Sequence, residues 1–316
     1  MHELDITRGN HLVDPSLHIW GWEISVYLFL GGLVAGMMII SGFFLFRERY
    51  RDTRSTSTIL PFLSMVLLSA GMLALFFDLE YKTHVWRMYA TFQITSPMSW
   101  GSWILVLVYP ALFLNMLVRQ PHWIQVRVPL FERWSEQMHR HPVGIKTVGV
   151  VNMLLGALLG IYTGILLSSF GARPLWNSAV LGFLFLVSGL SAAAAFVHTF
   201  APDREERELL AKSDNAFLTI ELFVLALFLV GLITSTQVHQ AAAMLLISGP
   251  YAPVFWVFVV GLGIVIPLLL QSLAVTHRVR HTPVPPLMVI VGGLILRFVI
   301  VAAGQASHWT RAAQLW

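Results

Sequence analysis

The chain has no cysteine in its 316 residues, which excludes disulfides and any iron–sulfur cluster held by its own thiolates. Charge is nearly as scarce: Asp, Glu, Lys and Arg supply 11% of the residues, less than half the share usual in soluble domains. Hydrophobic residues make up 57%. That balance excludes an ordinary soluble globule and points to a chain that lives in lipid. A net charge of +4 would draw a soluble protein towards nucleic acid. Here the basic residues have a topological explanation and need no such partner.

Eight long apolar stretches run roughly over 24–46, 59–79, 100–118, 146–168, 178–200, 216–236, 252–275 and 286–304. Each is about 19 residues or longer, enough for an α-helix to cross a hydrocarbon core of about 30 Å. Backbone groups at that depth find no water and must bond within their own segment, so helices are the expected form. Fourteen of the twenty Lys and Arg residues fall in the odd-numbered loops and their flanks. They are Arg47, Arg49, Arg51 and Arg54; then Arg119, Arg127, Arg133, Arg140 and Lys146; then Arg204, Arg207 and Lys212; and finally Arg278 and Arg280. The even-numbered loops and both ends hold only Arg8, Lys82, Arg87, Arg173 and Arg311. Because basic loops stay in the cytoplasm, both termini are expected on the opposite, periplasmic side of a bacterial inner membrane. The first 19 residues are polar, so span 1 reads as its own insertion signal with no removable leader.

The expected fold is all-α and integral to the membrane: two antiparallel four-helix bundles, spans 1–4 and 5–8. The boundaries read as a periplasmic segment 1–19, a first bundle 20–168, a second bundle 169–305 and a periplasmic tail 306–316. Gly32 and Gly36 form a small-xxx-small face on span 1 suited to close helix packing. In the long loop 3–4, Leu130, Trp134 and Met138 share one face of a short amphipathic helix expected to lie in the interface. The loop over 81–97 is rich in aromatics, and reads equally as an interfacial belt or as a docking or ligand-binding edge.

Twelve histidines are present, nearly all in loops or at span ends. His198, near the basic end of span 5, has no obvious partner at its depth, so no intrinsic haem is expected. Ionisable groups inside spans are costly and mark function. Glu23 opens span 1 between Trp22 and Tyr27. Asp78 and Glu80 close span 2 at the same face, and Tyr162 lies in the outer half of span 4. Together they read as an amphipathic pocket with aromatic walls, a phenolic donor and carboxylates. A quinone needs such a site, with donors for its carbonyls and a proton carrier nearby. Each carboxylate taken singly reads as well as a wetted helix end. Glu221, about two turns into span 6, and Arg297, about three turns into span 8, lie at heights about 6 Å apart. They read as a buried ion pair or, with His198, as part of a proton route.

The segments SPMSWGSW (96–103), YTGILLSS…RPLWN (162–177), LFLVSGLSAA (184–193) and GGLILRFVIVAAGQ (292–305) resemble the NrfD family. The opening WGWEISVYLFLGGLVAG (20–36) and THVW (83–86) are similar to the polysulfide reductase membrane subunits within it. The resemblance covers nearly all eight spans in order and rests on that joint order, because no single motif is strict. It implies a subunit that holds no metal, haem or cluster and exchanges electrons between a membrane quinol (menaquinone or ubiquinone) and a docked partner. That partner would be a four-cluster, ferredoxin-like iron–sulfur subunit on the periplasmic face. It would serve a molybdopterin or multihaem cytochrome catalytic subunit. The resemblance further implies that Tyr162 contacts the quinone and that the other contacts come from the start of span 1, near Ile24 and Tyr27. There the chain departs from the relative, which has an Asn and a His. Glu23, Tyr27 or His18 stand as substitutes, with Trp22 and Trp86 as walls.

The resulting expectation is a quinone-reactive subunit in which Tyr162 binds one carbonyl and Glu23 or Asp78 carries the proton. Two other classes remain open. A secondary transporter would use Glu221 and Arg297 as ligands, and Pro267 in span 7 fits a broken helix. A passive membrane anchor would have lost the quinone site. A transporter purifies alone, and an anchor brings redox partners but no quinone.

Overall fold

The computed structural model describes residues 20–49, 55–79, 81–121, 128–201, 204–275 and 282–308. Among these residues the chain is helical throughout, with no strand. Eight helices are long and apolar enough to cross a bilayer: Trp22–Phe46, Ser57–Asp78, Pro97–Val118, Pro142–Ser168, Val180–Phe200, Arg207–Ile233, Val254–Leu273 and Val284–Ala306. These are spans 1 to 8. The protein is thus a multi-pass, all-α membrane protein. The end of the molecule holding Trp22, Asp78 and Ser168 is termed its outer end.

Proline sets several starts. Pro97, Pro142 and Pro285 stand in the first turn of their helices, where a missing N–H leaves no intrahelical bond unmade, whereas the helix of Pro61 follows directly on a π-helix over Ser55–Ile59. Pro267 acts differently, because it lies inside span 7. Its ring clashes with the carbonyl four residues back and offers no donor. The chain answers with a π-helix over Val254–Val265, and an ordinary α-helix, Ile266–Val275, follows with Pro267 in its first turn.

The packing has an unequal distribution. Span 1 is 83% buried over its apolar window and span 5 is 78% buried, against 33% for spans 2 and 6. The leading helix of each half is therefore the core, and the peripheral helices face lipid. Span 1 packs on spans 2 and 4 of its own half, and on spans 5 and 8 of the other. Glycine permits the central contact. A β-carbon at Gly36 would strike the Gly189 carbonyl and Ala193, and one at Gly189 would strike the backbone of Gly32. The face formed by Gly32 and Gly36 thus receives span 5.

The connector 169–179 links the halves and is tied down. Arg173 donates to the carbonyls of Gln305 (2.6 Å) and Ser307 (3.3 Å) and lies 2.7 Å from His308 Nδ1. Burial lowers the proton affinity of its guanidinium. The Trp176 indole donates to the Ile300 carbonyl at 2.8 Å, and its ring stacks on Trp20. Trp20 exchanges two hydrogen bonds with the Gln305 side chain.

Two elements differ from the sequence reading. The helix carrying span 6 begins at Arg204, about three turns before the apolar stretch, so Asp214 is helical. The loop between spans 6 and 7 contains a short apolar helix, Gln237–Ile247, too short to cross a bilayer.

Candidate functional site

At the outer end, three phenols converge. Tyr27 lies five residues into span 1, and Tyr162 six residues before the end of span 4. At 1.5 Å per residue each is about 8–9 Å inside the helix end. Both are buried, with 4% and 5% of their surface exposed. Tyr27 is within electrostatic reach of Tyr162 and of Tyr89, which comes from the short helix Arg87–Ala90. Burial, and secondarily the phenol of Tyr109, push the Tyr89 hydroxyl above its ordinary acidity range, so it stays a neutral donor.

The seat of Tyr162 is Gly101 on span 3. A β-carbon there would coincide with the phenol ring and hydroxyl, so only glycine lets the ring lie across this helix. Local structure holds the glycine in place. The Ser102 hydroxyl donates to the Met88 carbonyl at 2.8 Å, and the Trp100 indole donates to the Ile94 carbonyl at 2.7 Å. These bonds fold the 81–97 loop against span 3. Among the described residues, neither the Tyr27 nor the Tyr162 hydroxyl has a protein hydrogen-bond partner, and neither oxygen is among the fully enclosed unpartnered atoms, so each keeps some open surface. Phenols at this depth normally find one.

Glu23 and Asp78 stand at the same end. Asp78 lies within electrostatic reach of Glu23, and both are half-buried. Trp22 and Trp86 are turned outwards, 57% and 59% exposed, and Arg87 stacks on Trp86 with 5.8 Å to the ring centroid. His18 and Glu80 lie outside the described residues. The arrangement therefore groups Tyr27 with Tyr162, and Glu23 with Asp78, and sets the two tryptophans on the rim. Chemically it offers neutral hydrogen-bond donors in an apolar wall with carboxylates nearby.

A second polar group lies in the other half. Arg297 is 1% exposed, and it donates to Ser188 Oγ at 2.6 Å and to the Phe185 carbonyl at 2.9 Å. Its guanidinium carbon lies 4.4 Å from the Phe185 ring centroid. Ser188 interacts in turn with the Glu221 carboxylate. Where sequence left a direct ion pair open, a serine stands between the charges. Two turns before Glu221 on the same helix face, Asp214 is wholly buried. It accepts from Ser191 at 3.0 Å and from the Gln271 amide at 2.7 Å. Glu221 and Asp214 are in electrostatic reach of each other. His198 is buried in the last turn of span 5, about 15 Å along that helix from Ser188.

Sequence reasoning missed Gly101, Tyr89, Ser188 and Asp214. For Asp214 a signal existed: it precedes Glu221 by seven residues, which places both on one face. It was hidden because Ser213, Asp214 and Asn215 look like a helix start, so the span seemed to begin after them.

Comparison with known proteins finds relatives along nearly the whole chain. The C chain of the Wolinella succinogenes polysulfide reductase is 28% identical, the alignment covering 91% of this chain and 94% of the relative. The NrfD protein of Escherichia coli is also 28% identical, over 92% of this chain and 96% of its own. The C subunit of the Mesobacillus selenatarsenatis selenate reductase is 24% identical over 92% of this chain and 75% of its own. The family profile described as polysulphide reductase, NrfD matches residues 11–307, and the protein belongs to that family.

Proposed function

We propose that this protein is the quinone-reactive membrane subunit of a respiratory oxidoreductase, acting at the outer end of spans 1–4. Membership in the NrfD family, and relatives named as subunits of polysulfide and selenate reductases, support a membrane subunit of a reductase complex. The observation that carries the finer reading is the buried phenol of Tyr162, seated on Gly101 beside Tyr27. Among the described residues its hydroxyl has no protein partner. A quinone oxygen is a ligand of matching chemistry: an acceptor on an apolar ring, entering from lipid.

In this reading Tyr162 donates a hydrogen bond to one quinone oxygen and Tyr27 or Tyr89 lines the ring. Oxidation of the quinol to the quinone gives up two electrons and two protons, and Glu23 and Asp78 take the protons and pass them to water at the rim. The protein has no thiol with which to hold a cluster. The electrons therefore leave to an iron–sulfur subunit on the periplasmic face, docked over the 81–97 loop, where Trp86, Phe92 and Ile94 are exposed. Replacing Tyr162 with Phe is expected to lower quinol-dependent turnover roughly 100- to 1,000-fold, the scale for losing one donor to a reacting oxygen. Turnover of the assembled catalytic partner with an artificial dye is expected to be unchanged. Undiminished quinol kinetics in that variant would remove Tyr162 from the site.

A second reading rests on the buried group in the other half. Two buried carboxylates, Glu221 and Asp214, lie on one face of span 6, and Glu221 reaches the buried guanidinium of Arg297 through Ser188. An uncompensated charge there is untenable, so the group holds one proton in common. Asp214 lies about 10 Å from the basic-loop end of span 6, and Glu221 about 10 Å beyond it, spacing that suits stepwise transfer. His198 would feed the path from its basic end. Glu221→Gln and Asp214→Asn variants are expected to keep quinol oxidation and lose part of the proton release or membrane potential per electron. Unaltered proton release in both would restrict the group to structure. Co-purification separates the other classes: a transporter would come alone, an anchor with redox partners and no quinone in its lipid extract.

A further inference from the structure

The helix Pro129–His139 does more than cover the basic-loop end. Its Trp134, Gln137 and Met138 stand at i, i+3 and i+4 and form one wall of a groove of about 490 Å³. Phe113 and Leu117 of span 3 and Val148 of span 4 form the other walls. Phe113 and Leu117 lie in the last two turns of span 3, and Val148 in the first two turns of span 4. The groove is therefore within about 9 Å of where these helices leave the hydrocarbon. That is the level of glycerol and upper acyl carbons. The wall is braced: Phe131 stacks on Trp134 with centroids 5.8 Å apart, and both meet Phe113 edge-on. The mouth is apolar and open, with Trp134 41% and Leu114 42% exposed.

Arg133 and Arg140 are exposed and stand one turn before and one turn after Gln137, the residue at the edge of the groove. Glu132 and Glu136 point the other way, into a separate polar hollow of about 430 Å³ that Arg140 borders. Glu136 is within a turn of both arginines, yet among the described residues neither arginine forms an ion pair. An apolar slot at acyl depth beside two uncommitted guanidinium groups matches one molecule: an amphiphile with a hydrocarbon chain and an anionic head.

We infer that the groove between spans 3 and 4 and the Pro129–His139 helix is a binding site for an anionic phospholipid, its acyl chain on Trp134 and Met138 and its phosphate on Arg133 and Arg140. The inference is independent of the quinone reading, because it concerns the opposite end of the first bundle. It is tested on the full-length protein, with its partner subunits if they co-purify, in micelles doped with brominated-acyl phosphatidylglycerol or brominated-acyl phosphatidylcholine. The Trp134 contribution is the fluorescence difference between the parent and Trp134→Phe. Each basic residue at an anionic surface strengthens binding about fivefold. Phosphatidylglycerol is thus expected to quench Trp134 at roughly a twenty-fifth of the mole fraction that phosphatidylcholine requires, and the Arg133→Gln/Arg140→Gln variant to abolish that preference. Met138→Phe, which narrows the groove without adding an emitter, should weaken quenching at low mole fraction with the arginines intact. Equal quenching by the two lipids in the parent overturns the inference. So does a preference that survives the double variant, or a Trp134 signal reached by neither lipid because protein fills the groove.

Discussion

Tyr162 owes its position to the absence of a side chain on the facing helix. At Gly101 the backbone of span 3 passes under the phenol ring, and a single methyl there would occupy the ring's own volume. Gly101→Ala is therefore expected to push the ring out of place and reproduce most of the quinol defect of Tyr162→Phe, while leaving the tyrosine itself intact. Quinol and dye kinetics on the assembled complex would check this, and normal quinol turnover would show that the ring position is unimportant. The tyrosine was legible in sequence as a polar residue in an apolar span. The glycine was not, because a glycine beginning a span looks like any other small residue until a neighbouring ring is placed on it.

At the scale of elements, the decisive contacts are between backbones. Gly36 and Gly189 let spans 1 and 5 approach to main-chain contact, so a large side chain there must separate the two halves. Gly189→Leu is expected to destabilise the protein by at least about 1–3 kcal/mol, the usual range for overpacking. A lower melting temperature in detergent, or loss of membrane-inserted protein, would register it. The connector 169–179 has the same function at the outer surface through polar bonds. Arg173→Ala leaves the Gln305 and Ser307 carbonyls without their shared donor, at a cost of about 1–3 kcal/mol for the buried acceptors. Faster proteolysis near the connector at unchanged span insertion is the expected sign. Gly32 and Gly36 already marked a packing face on span 1. Which helix it met depended on how the two halves dock, a relation between residues more than 150 positions apart.

For the whole molecule, the leading helix of each half is central and the later helices shield it from lipid. That places the phenol cluster on one side of the central pair, and the Arg297, Glu221 and Asp214 group within the other half. The two groups are distinct sets of residues, although the Arg297 guanidinium reaches Gly32 of span 1, five residues from Tyr27; if each has its own task, their variants should separate in effect. Tyr162→Phe is expected to slow electron entry at a constant proton-to-electron ratio, and Asp214→Asn to lower the ratio at nearly constant electron flux. A proton-release assay with limiting quinol reads both quantities, and coincident loss in either variant would merge the two groups into one.

The count of spans, their helical form and their topological sorting of basic residues were determined by the sequence alone. Lipid offers the backbone no partner, so long apolar runs have one available structure. The rim residues Glu23, Asp78 and Tyr162 were also visible, because ionisable and phenolic groups are rare in such runs. Only the tertiary structure decided that Ser188 stands between Glu221 and Arg297, that Asp214 joins them inside the protein, and that Tyr89 folds back beside Tyr27. Those relations depend on helix rotation and depth. Apolar surfaces of nearly uniform hydropathy do not encode either in a local pattern.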